Sequence, residues 1–428
     1  MIKASCPCTP ITQAVKTPAH YFYGYYDKNP WNRAETRLLS HRTHFCDRFP
    51  SPQDRAEVGY VTLDAEPRFV ALGETTAWNW QQGAQLQWLR RRGEKAERVI
   101  YNTRCNGSLA AVMLDPDSGE RRQIDSPVYT LDPLGRYALS LNFARLYQTR
   151  MDYGIAGLVD LHAETPCPAN DGIFRIDLET GDRALIVSIA QAAKAEPDSD
   201  SQGVKNWVNH MMFNPSGTRF CFLHRFLRED GIGHSRLLAA DADGSNLRVL
   251  FEGMVSHYCW TDDTTILAWA GARKVLGNPR SRSGGIMTGA RKILKPIYYA
   301  LGKPRFLMQR IVRDSYYLIE DRAGGEARRF AFGQLTCDGH CSLSPDRRWV
   351  VTDGYTDGRN RLPLFLCPLH GERIVEIGRF ATPKALDGPL RVDLHPRFNG
   401  DGTKICIDSA MDGTRQMYVL DVAKLIED

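Results

Sequence analysis

Four histidines stand at corresponding points of four successive repeats along this chain. His210 opens HMMFNPSGTRFCFLHR, His257 opens HYCWTDDTTILAWA, His340 opens HCSLSPDRRWVVTDGY and His395 opens HPRFNGDGTKICIDSAMDG. Only 11 of 428 residues are histidine, so four in one register form a pattern rather than a background. Imidazole changes charge near neutral pH and readily ligates metals. Four imidazoles facing one funnel would suit proton transfer or a divalent ion such as manganese or zinc. Each taken singly could instead cap its repeat by bonding neighbouring backbone.

Arginines accompany these histidines: Arg145 and Arg150 in NFARLYQTRMDYG, Arg225 in FLHRF, and Arg391 and Arg397 around His395. A guanidinium is a planar fork that matches a carboxylate, so Arg beside His and Tyr suggests an acidic ligand such as a uronic acid. Individually, each could equally be a solvated surface group. Trp78, Trp80, Tyr25, Tyr26 and Tyr153 could stack on sugar faces or fill the core.

The elements that must position these residues are short strands. Each histidine-led repeat carries an apolar run, a turn and a second β-rich run, and three of the four place Pro shortly after the histidine. Asp115-Pro-Asp-Ser-Gly119, Leu178-Glu-Thr-Gly181 and Asp241-Ala-Asp-Gly244 read as hairpin turns. Units fall at 21–63, 78–124, 128–188, 210–253, 257–332, 340–380 and from 395 onward. Seven such units predict an all-β fold, a seven-bladed β-propeller in a single domain spanning 1–428. In a propeller the first strand of each blade lines a central channel, which would bring the four histidines together. Residues 1–20 form a lead-in expected to complete the last blade, and 142–170 is a long loop of the kind that often carries function.

With 36 Gly, 23 Pro and 10% aromatic residues, the composition suits a turn-rich β protein. Eleven cysteines, an odd number, and the start MIKASCPCTP suggest a reduced, cytosolic protein without disulfides, and Cys6-Pro-Cys8 lacks a second ligand pair for metal. No apolar run is long enough to span a membrane. The 55 basic and 50 acidic residues are unevenly spread: 271–313 holds eleven Lys/Arg and no Asp/Glu, leaving 44 basic against 50 acidic elsewhere. This basic insert in the fifth unit includes ARKILKPIYYALGKPRFLMQRIVR and could hold the protein on an anionic inner-membrane surface, draw in an anionic glycan, or be a plain surface loop. Nucleic acid is not expected, because no reading module accompanies the charge.

YGYYDKNPW, WNWQQG, NHMMFNPSGTRFCFLHR, GHCSLSPDRRWVVTDGY and DLHPRFNGDGTKICIDSAMDGTRQMY together resemble the propeller-fold polysaccharide lyases, the oligogalacturonate lyases and related ulvan lyases. The resemblance covers nearly the whole chain apart from the basic insert. It implies β-elimination on a uronate-containing saccharide: a base removes the C5 proton, positive groups stabilise the charge on the carboxylate, and an acid protonates O4. On this resemblance His257 matches the base position, with His210 as rival, and Arg225 a carboxylate-neutralising position. Tyr153 or Tyr258 would serve as acid, and Arg145, Arg150, Arg397, Trp78, Trp80 and Tyr26 would contact the sugar. His340 and His395 match positions that ligate a divalent metal. The family's further His and Gln at that site are replaced by Arg397 and Val392, so Arg397 is expected to supply positive charge in the ion's place. An alternative expectation is a propeller that binds a glycan or glycolipid at the inner membrane and serves polysaccharide assembly.

Overall fold

The structure, a computed structural model, describes residues 2–3, 8–10, 19–91, 93–94, 96–195, 201, 203–227, 233–271, 314–331, 333–386 and 388–427. Beyond Gly271 the expected basic insert lies outside the described residues, and with it the expected membrane contact.

The turn chemistry read from sequence is built as hydrogen bonds. Asp115 Oδ1 accepts from the N–H groups of Asp117 and Ser118 at 2.9 and 3.0 Å, and Asp177 Oδ1 from those of Glu179 and Thr180 at 2.7 and 3.0 Å. Gly119 and Gly181 close these turns at φ of 77° and 85°, a region that glycine enters without steric cost. Such hairpins join consecutive strands into antiparallel meanders. The first sheet comprises His20–Phe22, Arg37–Thr43, Ala56–Thr62 and Phe69–Thr75 in that order, and the next two sheets repeat the four-strand plan through Ile124 and Ser188. The chain is all-β, with only short helices such as Phe143–Thr149, which opens the long loop and is capped by the Asn142 side chain.

The strands of the described residues form six sheets rather than seven separate ones. The fourth and fifth sequence units share one seven-stranded sheet, because the 13-residue strand Arg248–Trp260 runs unbroken from the outer edge of one into the start of the other. It pairs with Gly233–Asp241 along its first part and with Thr265–Gly271 along its second. FEGMVSHYCW contains no Asp or Pro turn that would end a strand; Gly253, at φ 126°, bends it without breaking it.

Every sheet shares buried apolar clusters with its neighbour in the chain. Cys406 and Met417 of the last sheet join the cluster that contains Leu38, Trp78 and Val99 of the first two. The two ends of the chain also pair: Cys8–Pro10 is antiparallel to Gln416–Asp421 as the outer strand of the last sheet, and Ile2–Lys3 adds parallel to Val375–Ala381.

No helix among the described residues is long and apolar enough to cross a membrane.

Candidate functional site

His210 and His257 sit at irregularities of their strands. The register of Asn206–Phe213 shifts between Asn209 and Met212, and that of Arg248–Trp260 between Val255 and Tyr258. A bulge inserts an unpaired residue and re-aims a side chain that regular alternation would bury in the sheet. His210 and His395 have positive φ, 54° and 44°, which costs a non-glycine residue on the order of 1–3 kcal/mol. Hydrogen bonds hold both there. The His210 N–H donates to Tyr129 Oη at 3.1 Å while its carbonyl accepts from the Tyr258 hydroxyl, and the His395 N–H donates to Asp353 Oδ2 at 3.1 Å.

The four imidazoles form one buried cluster around Tyr25. Ring centroids lie 6.5 Å apart for His210 and His257, 4.1 Å for His257 and His340, and 4.3 Å for His340 and His395. Tyr25 lies 5.0 to 6.4 Å from all four and stacks on His210, whose Nε2 is 3.5 Å from its hydroxyl.

Their hydrogen bonds differ, and the differences assign roles. His257 Nδ1 lies 2.9 Å from Asp338 Oδ1, and His340 Nδ1 lies 2.9 and 3.1 Å from the two oxygens of Asp353. His395 Nδ1 lies 2.6 Å from the Gly24 carbonyl. Carboxylates and carbonyls only accept, so these three Nδ1 atoms carry a proton, and in the neutral form of each ring Nε2 holds the lone pair. The Nε2 atoms of His340 and His395 are buried and have no protein partner. An orphaned, lone-pair-bearing imidazole nitrogen whose other nitrogen is fixed by a carboxylate or carbonyl is the arrangement found around bound metals.

A third donor stands beside them: Asp393, with His340 and His395, offers ligand atoms that all lie within 4.8 Å of one another. Two neutral imidazoles and one carboxylate fit a divalent ion such as manganese or zinc. Sequence reasoning missed Asp393, as it did Asp338 and Asp353. The Asp393-Leu394-His395 spacing carried a signal, since residues two apart in an extended segment point the same way.

Burial pushes the His210 pKa well below its ordinary value, helped by the Arg225 guanidinium. His395 is also pushed well down, by burial and then by His340. Burial lowers His257 too, with Asp338 opposing. His340 alone goes up: burial acts against its charged form, but Asp353 outweighs it.

Of the remaining expected site residues, Arg225, Arg150 and Tyr153 are at the cluster. Tyr153 stands edge-on to His210 at 5.1 Å, Arg150 lies over its ring at 4.6 Å, and its hydroxyl accepts from Arg391 Nη2 at 3.5 Å. Arg225 has a buried Nε with no hydrogen-bond partner and no acidic neighbour in ion-pair range among the described residues. Burial, then Arg150, lower its pKa.

Other residues are placed otherwise. Arg145 is 1% exposed and spends its donors on the carbonyls of Asn206, His162, Thr165 and Pro166 and on Asp160, so it ties the long loop to the sheet instead of meeting a sugar. Trp78 and Trp80 pack edge-on to each other at 4.9 Å in the core, each donating its indole N–H to a backbone carbonyl, and leave no face for stacking. Tyr26 is spent on the backbone of Tyr258: its Oη donates to the Tyr258 carbonyl and accepts from its N–H, both at 2.9 Å. The Tyr258 hydroxyl is engaged by the His210 carbonyl, so it holds the bulge and is not free to protonate a leaving group. Arg397 bonds the Gly24 and Tyr25 carbonyls and pairs with Asp408 at 3.1 Å, so its charge is matched locally and does not replace that of an ion.

Searches with family profiles and against curated proteins gave no match. Among solved structures, an oligogalacturonate lyase from Vibrio parahaemolyticus superposes with a TM-score of 0.59 at 14% identity, covering 99% of this chain and 96% of that one. An oligogalacturonate lyase in complex with manganese gives 0.61 at 14% identity, covering 99% and 100%. The likeness is one of fold, propeller-like along the whole chain, and the neighbours are those the sequence motifs resemble.

Proposed function

We propose that this chain is a seven-bladed propeller enzyme that cleaves an acidic, uronate-containing saccharide by β-elimination. The blade count takes the seven-stranded sheet as two meanders sharing Arg248–Trp260. The observation that carries the chemistry is a carboxylate-oriented imidazole, His257 on Asp338, in the same histidine cluster as His210, on which Arg225 acts, a guanidinium with no acidic partner among the described residues.

His257 is the base because Asp338 fixes its proton on Nδ1 and leaves the Nε2 lone pair to take the C5 proton. His210 has no orienting carboxylate among the described residues, and burial with Arg225 disfavours its protonation. Arg225 binds the substrate carboxylate, whose negative charge grows as the C5–H bond breaks. The released electron pair forms the C4–C5 double bond as the C4–O4 bond breaks, and O4 takes the hydroxyl proton of Tyr153. The Arg391 guanidinium beside that hydroxyl stabilises the phenolate left behind. His340, His395 and Asp393 would hold a divalent ion, which when bound adds positive charge near the same carboxylate.

Incubation with oligogalacturonate and other uronate polymers, with and without manganese, tests the reading. A rise in ultraviolet absorbance from the unsaturated product is expected; no rise with any uronate polymer overturns it.

A further inference from the structure

The motif YGYYDKNPW supplies neither the base nor a metal ligand, yet it carries Tyr25, the ring that all four histidines surround. In the first sheet Phe22 pairs with His41 and Trp31 with Leu38, so residues 23–30 stand opposite only Leu39 and Ser40 and loop away from the sheet. The excursion is held along its length. The N–H groups of Tyr23 and Gly24 donate to the Asp408 carboxylate at 3.1 and 3.3 Å. The Gly24 carbonyl accepts from Arg397 Nη2 as well as from His395, and Asn29 Nδ2 donates to the Phe398 carbonyl at 3.0 Å. Gly24 has a φ of 126°, and a Cβ there would meet the Gln82 backbone at 3.0 Å, so the segment turns at the one residue type that fits.

A phenylalanine would fill the space of Tyr25 equally well; what the tyrosine adds is its hydroxyl. His210 Nε2 lies 3.5 Å from that hydroxyl, and Tyr153 stands edge-on to the Tyr25 ring at 5.7 Å. Burial, and then the neighbouring phenols with a hydrogen bond to Tyr153, push the Tyr25 pKa well above its ordinary value. Tyr25 therefore keeps its proton, and in the bond between the two phenols it is the donor. His210 is kept neutral by burial, and its Nδ1 is buried without a partner. The tautomer that strands no N–H puts the His210 proton on Nε2, toward the Tyr25 oxygen. A phenol oxygen has two lone pairs and one proton. With Arg391 Nη2 at 3.5 Å and Tyr25 donating, both lone pairs of the Tyr153 oxygen are taken, and its own proton is left for the substrate.

We propose that Tyr25 is the positioning residue of the acid: its hydroxyl holds the Tyr153 O–H toward the leaving O4 and bonds the phenolate once that proton has gone. This rests on the lyase reading for the reaction the proton serves. One proton moves, from Tyr153 to O4; the Tyr25 proton stays on Tyr25, in a bond that strengthens as the Tyr153 oxygen becomes charged.

The test is Tyr25→Phe in the full-length protein, which removes one oxygen and keeps the ring. Arg150, Arg225, His210 and Tyr355 also face Tyr153 and are the same in both proteins, so the comparison isolates the hydroxyl. In the ultraviolet assay kcat should fall about tenfold or more, the worth of a hydrogen bond to a charged group, with KM little changed. The acid must be protonated to act, so its ionisation sets the alkaline limb of the kcat profile. The phenolate loses a donor in the variant, so its pKa rises and that limb should move to higher pH, by about one unit for each tenfold of lost stabilisation. A ring that only fills space would leave the limb where it is. Titration of isotope-labelled tyrosine rings by magnetic resonance without substrate, with Tyr153 assigned through Tyr153→Phe, should show the same upward shift. Wild-type turnover with an alkaline limb unmoved by Tyr25→Phe overturns the positioning role and leaves the lyase reading standing. A loss in Tyr25→Phe as deep as that in Tyr153→Phe overturns it too, since Tyr25 would then be the acid itself. An inactive wild type would sink the lyase reading, and the resonance then decides alone: a shifted Tyr153 keeps Tyr25 as its hydrogen-bond donor, an unshifted one overturns it.

Discussion

The pocket has two unlike halves built from one residue type. On one side His340 and His395 stand among carboxylates: Asp353 on one Nδ1, Asp393 alongside, and two Nε2 atoms with nothing to bond. On the other, His210 stands among guanidinium groups, Arg225 and Arg150, beside Tyr153. His257 lies between, with a carboxylate behind it and the basic half in front. Burial lowers the affinity of every one of these rings for a proton, and only the surroundings decide what takes the proton's place. The carboxylate half is suited to a cation and the guanidinium half to an anion. A uronate undergoing C5 deprotonation needs both, because its carboxylate is already charged and becomes more so.

The strongest way to break this division is at its centre. His257→Gln keeps a hydrogen-bonding side chain but removes the base, and a turnover loss of about 10²–10⁴-fold is expected in the ultraviolet assay. On the basic half, Arg225→Met should lower kcat/KM roughly ten- to hundredfold, the worth of a charged hydrogen bond. It should also leave the melting temperature unchanged or higher, since it removes a part-buried charge that no acidic group among the described residues matches. A variant that loses both activity and stability would show that Arg225 is structural.

On the acidic half, Asp353→Asn should weaken manganese binding about 10–100-fold by loosening the His340 ring, as read from free ion in an electron paramagnetic titration. Arg225→Met should leave manganese affinity within a small factor of wild type. Equal effects of the two variants on the ion would erase the distinction between the halves.

The smallest effect lies outside the pocket. His41 and His224 are held neutral in the core, their pKa values lowered from 6.5 to about 4 and about 3 by burial. In each ring one nitrogen already accepts a hydrogen bond, from the Ala84 N–H in His41 and from Arg236 in His224. Between pH 6.5 and about 4 the unfolded chain therefore binds protons that the folded one refuses. Stability must fall as pH drops through that window and level off above it. A melting temperature that rose on acidification across this range would contradict the assignment.

Much of the architecture was legible because turns are local chemistry. Asp-x-x-Gly needs only its own backbone, and the same turns that mark the hairpins in sequence close them in the fold. The one boundary read differently, between the fourth and fifth units, is where no such turn exists and Arg248–Trp260 runs on. The histidines were legible through their register. Their partners were not, because Asp338, Asp353 and Asp393 look like any turn or surface aspartate until folding buries them. Trp78, Trp80 and Arg145 misled for the converse reason. An indole or a guanidinium has the same appearance in sequence whether it faces a sugar or spends its N–H groups on backbone carbonyls.

The measurement that bears most directly on the two-sided pocket is a crystal structure of the His257→Gln protein soaked with manganese and a short oligogalacturonate. The account predicts anomalous density between His340, His395 and Asp393, and a sugar carboxylate on Arg225 with its C5 facing residue 257. Saccharide bound away from Arg225, or an empty pocket under saturating ligand, would contradict it.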